Sequence, residues 1–194
     1  MGKKNNHRSG FISIIGNPNV GKSTILNALV GRELSIITEK AQTTRHRILG
    51  IVNGEDFQMV LSDTPGVIKP AYEMQSSMMN FVKEALIDAD ILVYVVTSLE
   101  TELKDEKFFE RIKKSKAPLF VLVNKIDLSS QELVEQTVAH WQSVFPKAKV
   151  CPISALTGFF ISELLDLLIG LLPISPPYFP KDQLTDKPER FFVN

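Results

Sequence analysis

The chain alternates short, mainly apolar runs with longer segments of helical spacing. The apolar runs are Phe11-Ile12-Ser13-Ile14-Ile15, Ile91-Leu92-Val93-Tyr94-Val95-Val96, Leu119-Phe120-Val121-Leu122-Val123 and Val150-Cys151-Pro152-Ile153. They are too continuous for half-exposed strands and too short for helices, as suits parallel strands buried on both faces. Helical spacing follows the first run over 24–30 and returns over 76–87, 104–114, 131–144 and 161–172. Two further runs, 48–52 and 57–61, flank Asn53-Gly54-Glu55-Asp56. Asn-Gly between apolar runs predicts a hairpin, and so one antiparallel edge strand. The polar, aperiodic segment 32–45 reads as a loop. The expected fold is α/β: a three-layer, doubly wound, mostly parallel sheet with one antiparallel edge strand and right-handed crossovers. Ligands in such folds bind beyond the carboxyl ends of the strands.

This pattern divides the chain into a flexible tail over 1–9, an α/β domain over 10–173 and a proline-rich linker over 174–194. Pro173-Ile174-Ser175-Pro176-Pro177-Tyr178-Phe179-Pro180 cannot continue a helix and favours an extended segment. Arg190-Phe191-Phe192-Val193-Asn194 is apolar with no core of its own, as the start of a further domain would be. The alternative is a tail docked back on the domain.

Lys plus Arg equals Asp plus Glu at 22 each, which argues against nucleic-acid binding as the main task of this segment. The most apolar stretch, 164–172, is interrupted by Asp166 and too short to span a bilayer. No secretory segment follows the basic opening, and a soluble cytoplasmic monomer is expected. The single cysteine, Cys151, excludes an internal disulfide and reads as a small buried residue. His7, His46 and His140 have no metal-ligand spacing. Trp141 reads as a packing residue, and 104–107 with Lys113-Lys114 as a solvated helix face.

Chemistry concentrates in the turns after strands. Gly16-Asn17-Pro18-Asn19-Val20-Gly21-Lys22-Ser23 joins an apolar strand to a helix, the context of a phosphate-binding loop. Its glycines let the backbone approach an anion, and the helix adds its positive end. Asn17, Asn19, Val20, Gly21, Lys22, Ser23 and Thr24 form the candidate phosphate-binding set. Lys22 reaches the β- and γ-phosphates, and Ser23 ligates Mg²⁺. Asp63-Thr64-Pro65-Gly66 ends the second hairpin strand; Asp63 suits Mg²⁺ held through water, and the Gly66 N–H suits the γ-phosphate. The segment 65–75 is then a candidate switch, although Asp-Thr-Pro-Gly alone is also a plain turn. In Asn124-Lys125-Ile126-Asp127 the Asp127 carboxylate accepts the paired donors of guanine, which adenine lacks. Asn124 would tie this loop to the phosphate loop, with the Lys125 stem over the base. Ser154-Ala155-Leu156 is the weakest motif; there the Ala155 N–H would meet the guanine oxygen. Thr44, with Thr43 as its rival, is placed to complete the Mg²⁺ shell.

The order of these motifs resembles the Ras-like G domain of the phosphate-loop NTPases, and more closely the Era family of bacterial GTPases. The match rests on the phosphate loop, Gln42-Thr43-Thr44-Arg45-His46-Arg47, Asp63 to Gly66, Asn124 to Asp127, and Ser175-Pro176-Pro177-Tyr178 with Leu184-Thr185-Asp186. The resemblance implies a GTP/GDP- and Mg²⁺-dependent switch timing assembly of the small ribosomal subunit. It also implies an RNA-binding KH domain, contacting 16S rRNA, beyond the linker; no Gly-x-x-Gly clamp occurs here. No membrane span is expected, and the resemblance leaves room for peripheral membrane contact.

Lys22, Asn19, Thr44 and Gly66 are the candidate catalytic residues. Ras-like enzymes orient the attacking water with a glutamine directly after Asp-x-x-Gly. Val67 stands there, and Gln42 or Gln75 would need a favourable loop position, so slow intrinsic turnover is expected. Related GTPases hold K⁺ with the asparagine at position 19; the competing role for Asn19 is to stabilise the turn. Three other classes compete: a nucleotide-gated binding module with negligible hydrolysis, an ATP-using phosphoryl transferase, and a G domain serving tRNA modification or membrane transport.

Overall fold

The computed structural model describes residues 6–31, 48–67, 73–100 and 106–183. Six strands among them form a single sheet: β1 (Arg8–Gly16), β2 (Ile48–Asn53), β3 (Phe57–Asp63), β4 (Ile91–Thr97), β5 (Leu119–Asn124) and β6 (Lys149–Pro152). Their spatial order is β2-β3-β1-β4-β5-β6. Only β2 runs antiparallel, paired with β3 across the Asn53-Gly54 hairpin, so the antiparallel strand is an edge strand. The helices are α1 (Lys22–Val30), α2 (Glu73–Asp88), α3 (Glu106–Lys114), α4 (Gln131–Val144) and α5 (Ile161–Leu171).

Strand alternation distributes the core between two layers. Ile12, Ile14, Val93, Val95 and Leu122 face α1 and α5, packing with Ile25, Leu26, Leu164 and Leu168. Ile15, Tyr94, Val96, Val121 and Val123 face the other side and pack with Val82 of α2, Phe108 and Ile112 of α3, and Trp141 of α4. Both faces of the central strands are therefore buried, as continuous apolar runs require. Trp141 is fully buried, edge-on to Tyr94 at 5.3 Å between ring centroids. Such aromatic pairs add about 1 kcal/mol beyond their area. Cys151 is buried as well, and burial pushes its thiol pKa up.

The two terminal segments differ from the simple division into tail and linker. β1 begins at Arg8, inside the segment read as a tail. His7, Arg8 and Ser9 are bonded to the chain after α5: Ser175 N–H donates to His7 O at 3.1 Å and Ser9 N–H to Pro173 O at 3.0 Å. The Arg8 guanidinium donates to the Gly170 and Leu172 carbonyls at 3.2 and 2.9 Å, placing a cation at the negative end of α5. From Pro173 to Gln183 the chain is docked as a strap across the amino-terminal edge of the sheet. Its anchor is Gln58 of β3, fully buried. Gln58 Oε1 accepts from the Tyr178 and Phe179 N–H groups at 2.7 and 2.9 Å, and Nε2 donates to Phe179 O at 2.8 Å and Asn53 Oδ1 at 2.7 Å. Lys181 and Gln183 continue the docking onto Glu55 O and Asn53 Nδ2. A proline-rich run leaves few N–H groups to satisfy, and the one buried amide of Gln58 takes two of them.

Replacing Gln58 with Ala strands the Tyr178 and Phe179 amides. Urea melts are expected to show a loss of about 2 kcal/mol. Hydrogen exchange should quicken at those two amides and stay unchanged at Val20 and Ala155, which lie at the opposite sheet edge.

Candidate functional site

All five parallel strands end on one edge, and the turns there carry the motifs. The phosphate loop leaves β1 at Gly16 and enters α1 at Lys22. Gly21 caps α1 with φ 97° and no side-chain hydrogen bond, leaving the helix's first N–H groups facing the loop's hollow. A Cβ on Gly21 would stand 2.3 Å from the Asn124 amide nitrogen, so only glycine fits. Val20 is buried, and Asn19 stands exposed at φ 63°, in the left-handed region that asparagine tolerates. Ser23 and Thr24, half-buried, open α1.

Lys22 is buried and folded over the loop. Its ammonium donates to Asn17 O at 2.8 Å and Gly16 O at 3.3 Å. Burial pushes its pKa down to about 8, against the raising pull of Asp63 and then Glu100. Its charge is thus only partly offset from within, and a polyanion in the hollow would favour the protonated form.

Ser23 Oγ donates to Asp63 Oδ2 at 2.7 Å, bringing together the first helical turn and the end of β3. A hydroxyl and a carboxylate are hard oxygen ligands, which suits Mg²⁺. Among the described residues no group of three His, Cys, Asp or Glu could hold a metal alone. Mg²⁺ here would need phosphate oxygens and water to complete its shell. The segment after Asp63 is pinned in place: Thr64 Oγ1 donates to Ile14 O at 2.8 Å, and Val67 N–H to Gly16 O at 2.9 Å. Gly66 packs against the phosphate loop so closely that a Cβ would lie 2.8 Å from Pro18. Val67 is fully buried in the core beside Ile15 and Met79, so it presents nothing to a water molecule. Gln42, Thr43 and Thr44 lie outside the described residues, as does the Gln75 side chain.

Asn124 joins three loops. Its Nδ2 donates to Val20 O in the phosphate loop at 2.8 Å, and its Oδ1 accepts from the Ala155 N–H at 3.1 Å. The Ala155 amide, read from sequence as a base contact, is engaged with Asn124. Lys125 has φ 64° and begins a turn that exposes Asp127. Ser154, buried, donates from Oγ to Asp127 Oδ1 at 2.5 Å and so aims the carboxylate, while Leu156 points to solvent. Ser154 is therefore a support for Asp127 within this site. Sequence reading missed Glu100, whose carboxylate accepts from the Asn17 side chain at 2.9 Å. A lone acid three residues past β4 matches no motif, and only its strand-end position hinted at it.

A family model described as "50S ribosome-binding GTPase" matches residues 11–125. The chain belongs to that family. The GTPase Era of Clostridium kluyveri is 42% identical over 188 residues, covering 96% of this chain and 64% of that protein. The crystal structure of Era in complex with MgGDPNP and nucleotides 1506–1542 of 16S ribosomal RNA aligns with a TM-score of 0.90 and 35% identity. A variant of Aquifex aeolicus Era bound to GDP and AlF4⁻ aligns at 0.89 and 35%. Each structural match covers 96% of this chain and 64% of the other. The chain thus spans somewhat under two thirds of these relatives' length, and its fold is the Ras-like G domain.

Asn124→Ala removes the link between the base and phosphate loops and leaves Val20 O and Ala155 N–H without it. Guanine nucleotide affinity is expected to fall tenfold to a hundredfold, on the order of 1–3 kcal/mol, in a fluorescent-nucleotide titration.

Proposed function

We propose that this chain binds and hydrolyses GTP as a molecular switch, acting in the cytoplasm in small ribosomal subunit assembly with 16S rRNA. The observation that carries the reading is the joining of the Lys22, Asp63 and Asp127 loops on one sheet edge through Asn124 and the Ser23–Asp63 bond. The family match and the likeness to Era support it. In this reading the rRNA contact falls mainly to a C-terminal KH-type domain, and the chain works as a monomer. No described helix is long and apolar enough to cross a membrane.

The roles follow from placement. Lys22 exchanges the Gly16 and Asn17 carbonyls for β- and γ-phosphate oxygens. Ser23 and Asp63 hold Mg²⁺, with Thr44 completing the set. When bound, the ion neutralises charge on the β- and γ-phosphates. The Gly66 N–H meets the γ-phosphate, and its loss on hydrolysis releases the segment after it. Asp127, aimed by Ser154, accepts the two guanine donors while the Lys125 stem covers the ring. Asn19 holds K⁺ beside the phosphates, supplying positive charge there.

A second reading, a nucleotide-gated binding module with negligible hydrolysis of its own, is favoured by the complete burial of Val67. Single-turnover GTP hydrolysis with and without small ribosomal subunits separates the two.

Asp127→Asn removes a charge-assisted acceptor pair and is expected to weaken GTP and GDP by about a hundredfold or more. Unchanged affinity would remove the base-recognition assignment. Turnover in KCl is expected to exceed that in NaCl severalfold, and equal rates would end the K⁺ role of Asn19.

A further inference from the structure

The turn after β4 places an acid against the phosphate loop. Glu100 N–H donates to Thr97 O at 3.0 Å, closing the turn. The carboxylate then folds back: Oε2 accepts from the Thr97 N–H at 3.1 Å, and Oε1 accepts from Asn17 Nδ2 at 2.9 Å. Asn17 is itself buried, and its carbonyl takes the Lys22 ammonium at 2.8 Å. A chain of bonds therefore runs from Thr97 through Glu100 and Asn17 to Lys22. Its origin is rigid, because β4 pairs with both β1 and β5 and Ile91 to Val96 are buried throughout.

A carboxylate beside a polyphosphate site repels its ligand, so electrostatics alone would place a neutral or basic group there. Glu100 is instead built into the loop's support, with both oxygens engaged. We infer that Glu100 is a positioning residue: by holding Asn17 against the end of β4, it keeps the phosphate loop in its binding shape before nucleotide arrives. This inference rests on the nucleotide reading of the site. Glu100 acts through Asn17 and touches no substrate atom. A preformed loop avoids an ordering cost on binding. The hollow takes the phosphates common to GDP and GTP, so losing the clamp weakens both alike and leaves turnover at saturation intact.

A clamp and a merely repulsive neighbour predict opposite signs. A merely neighbouring negative charge predicts that Glu100→Ala tightens polyphosphate binding. A clamp predicts that it loosens. With the full chain, Mg-GDP and Mg-GTP dissociation constants, kcat and thermal midpoints are measured for wild type, E100A, N17A and the double variant. About tenfold weaker binding of both nucleotides is expected in E100A and in N17A, with the kcat of E100A within threefold of wild type. The double variant should be within about threefold of the weaker single one, because both remove the same bond. Unchanged or tighter Mg-GDP binding by a folded E100A overturns the inference, as do losses that multiply in the double variant. Failure of the wild type to bind Mg-GDP would instead remove the nucleotide reading beneath it, and the inference with it.

Discussion

One side-chain amide holds the candidate site together. Asn124 donates to a carbonyl 104 residues away in sequence and accepts from an N–H 31 residues further along. Both partners lie in loops that would otherwise move independently. The amide is buried, so neither bond competes with water, and each free partner would carry a desolvation cost of about 1–3 kcal/mol. The contact also fixes the residue beneath it: Gly21 has no room for a side chain because the Asn124 amide occupies that space. The phosphate and base loops are therefore assembled as one unit.

That unit stands on a sheet buried from both sides. β1, β3, β4, β5 and β6 point the same way, so parallel pairing alone brings Gly16, Asp63, Thr97, Asn124 and the chain after Pro152 to a common edge. Apolar packing on two faces makes those strand ends rigid, and polar bonds between the loops, Ser23–Asp63, Asn17–Glu100 and Asp127–Ser154, do the fine placement. The opposite edge carries the strap anchored by Gln58, which fastens the segment after α5 to the first strand and the hairpin. Site and strap thus use the two ends of the same strands.

Most of the architecture was legible because the burial pattern is written directly in residue type. Runs such as 91–96 have to be interior strands, and Asn53-Gly54 has to turn. The phosphate and base motifs were legible because their chemistry needs particular residues at fixed spacing. Contacts that depend on three-dimensional approach were not. Gln58, Glu100 and the Ser154–Asp127 bond unite residues 27 to 121 positions apart, and an isolated Gln, Glu or Ser carries no local signature. The extent of the strap was likewise hidden: a Ser-Pro-Pro run fixes an extended conformation, but says nothing about what it lies against.

The central claim is that turns on one sheet edge jointly enclose a magnesium–guanine nucleotide. Parallel calorimetric titrations of the chain with Mg-GDP and Mg-ADP test it most directly. One-to-one binding of GDP, at least a thousandfold (about 4 kcal/mol) tighter than ADP, is the expected result. Equal affinity for the two purines, or no binding of either, would contradict it.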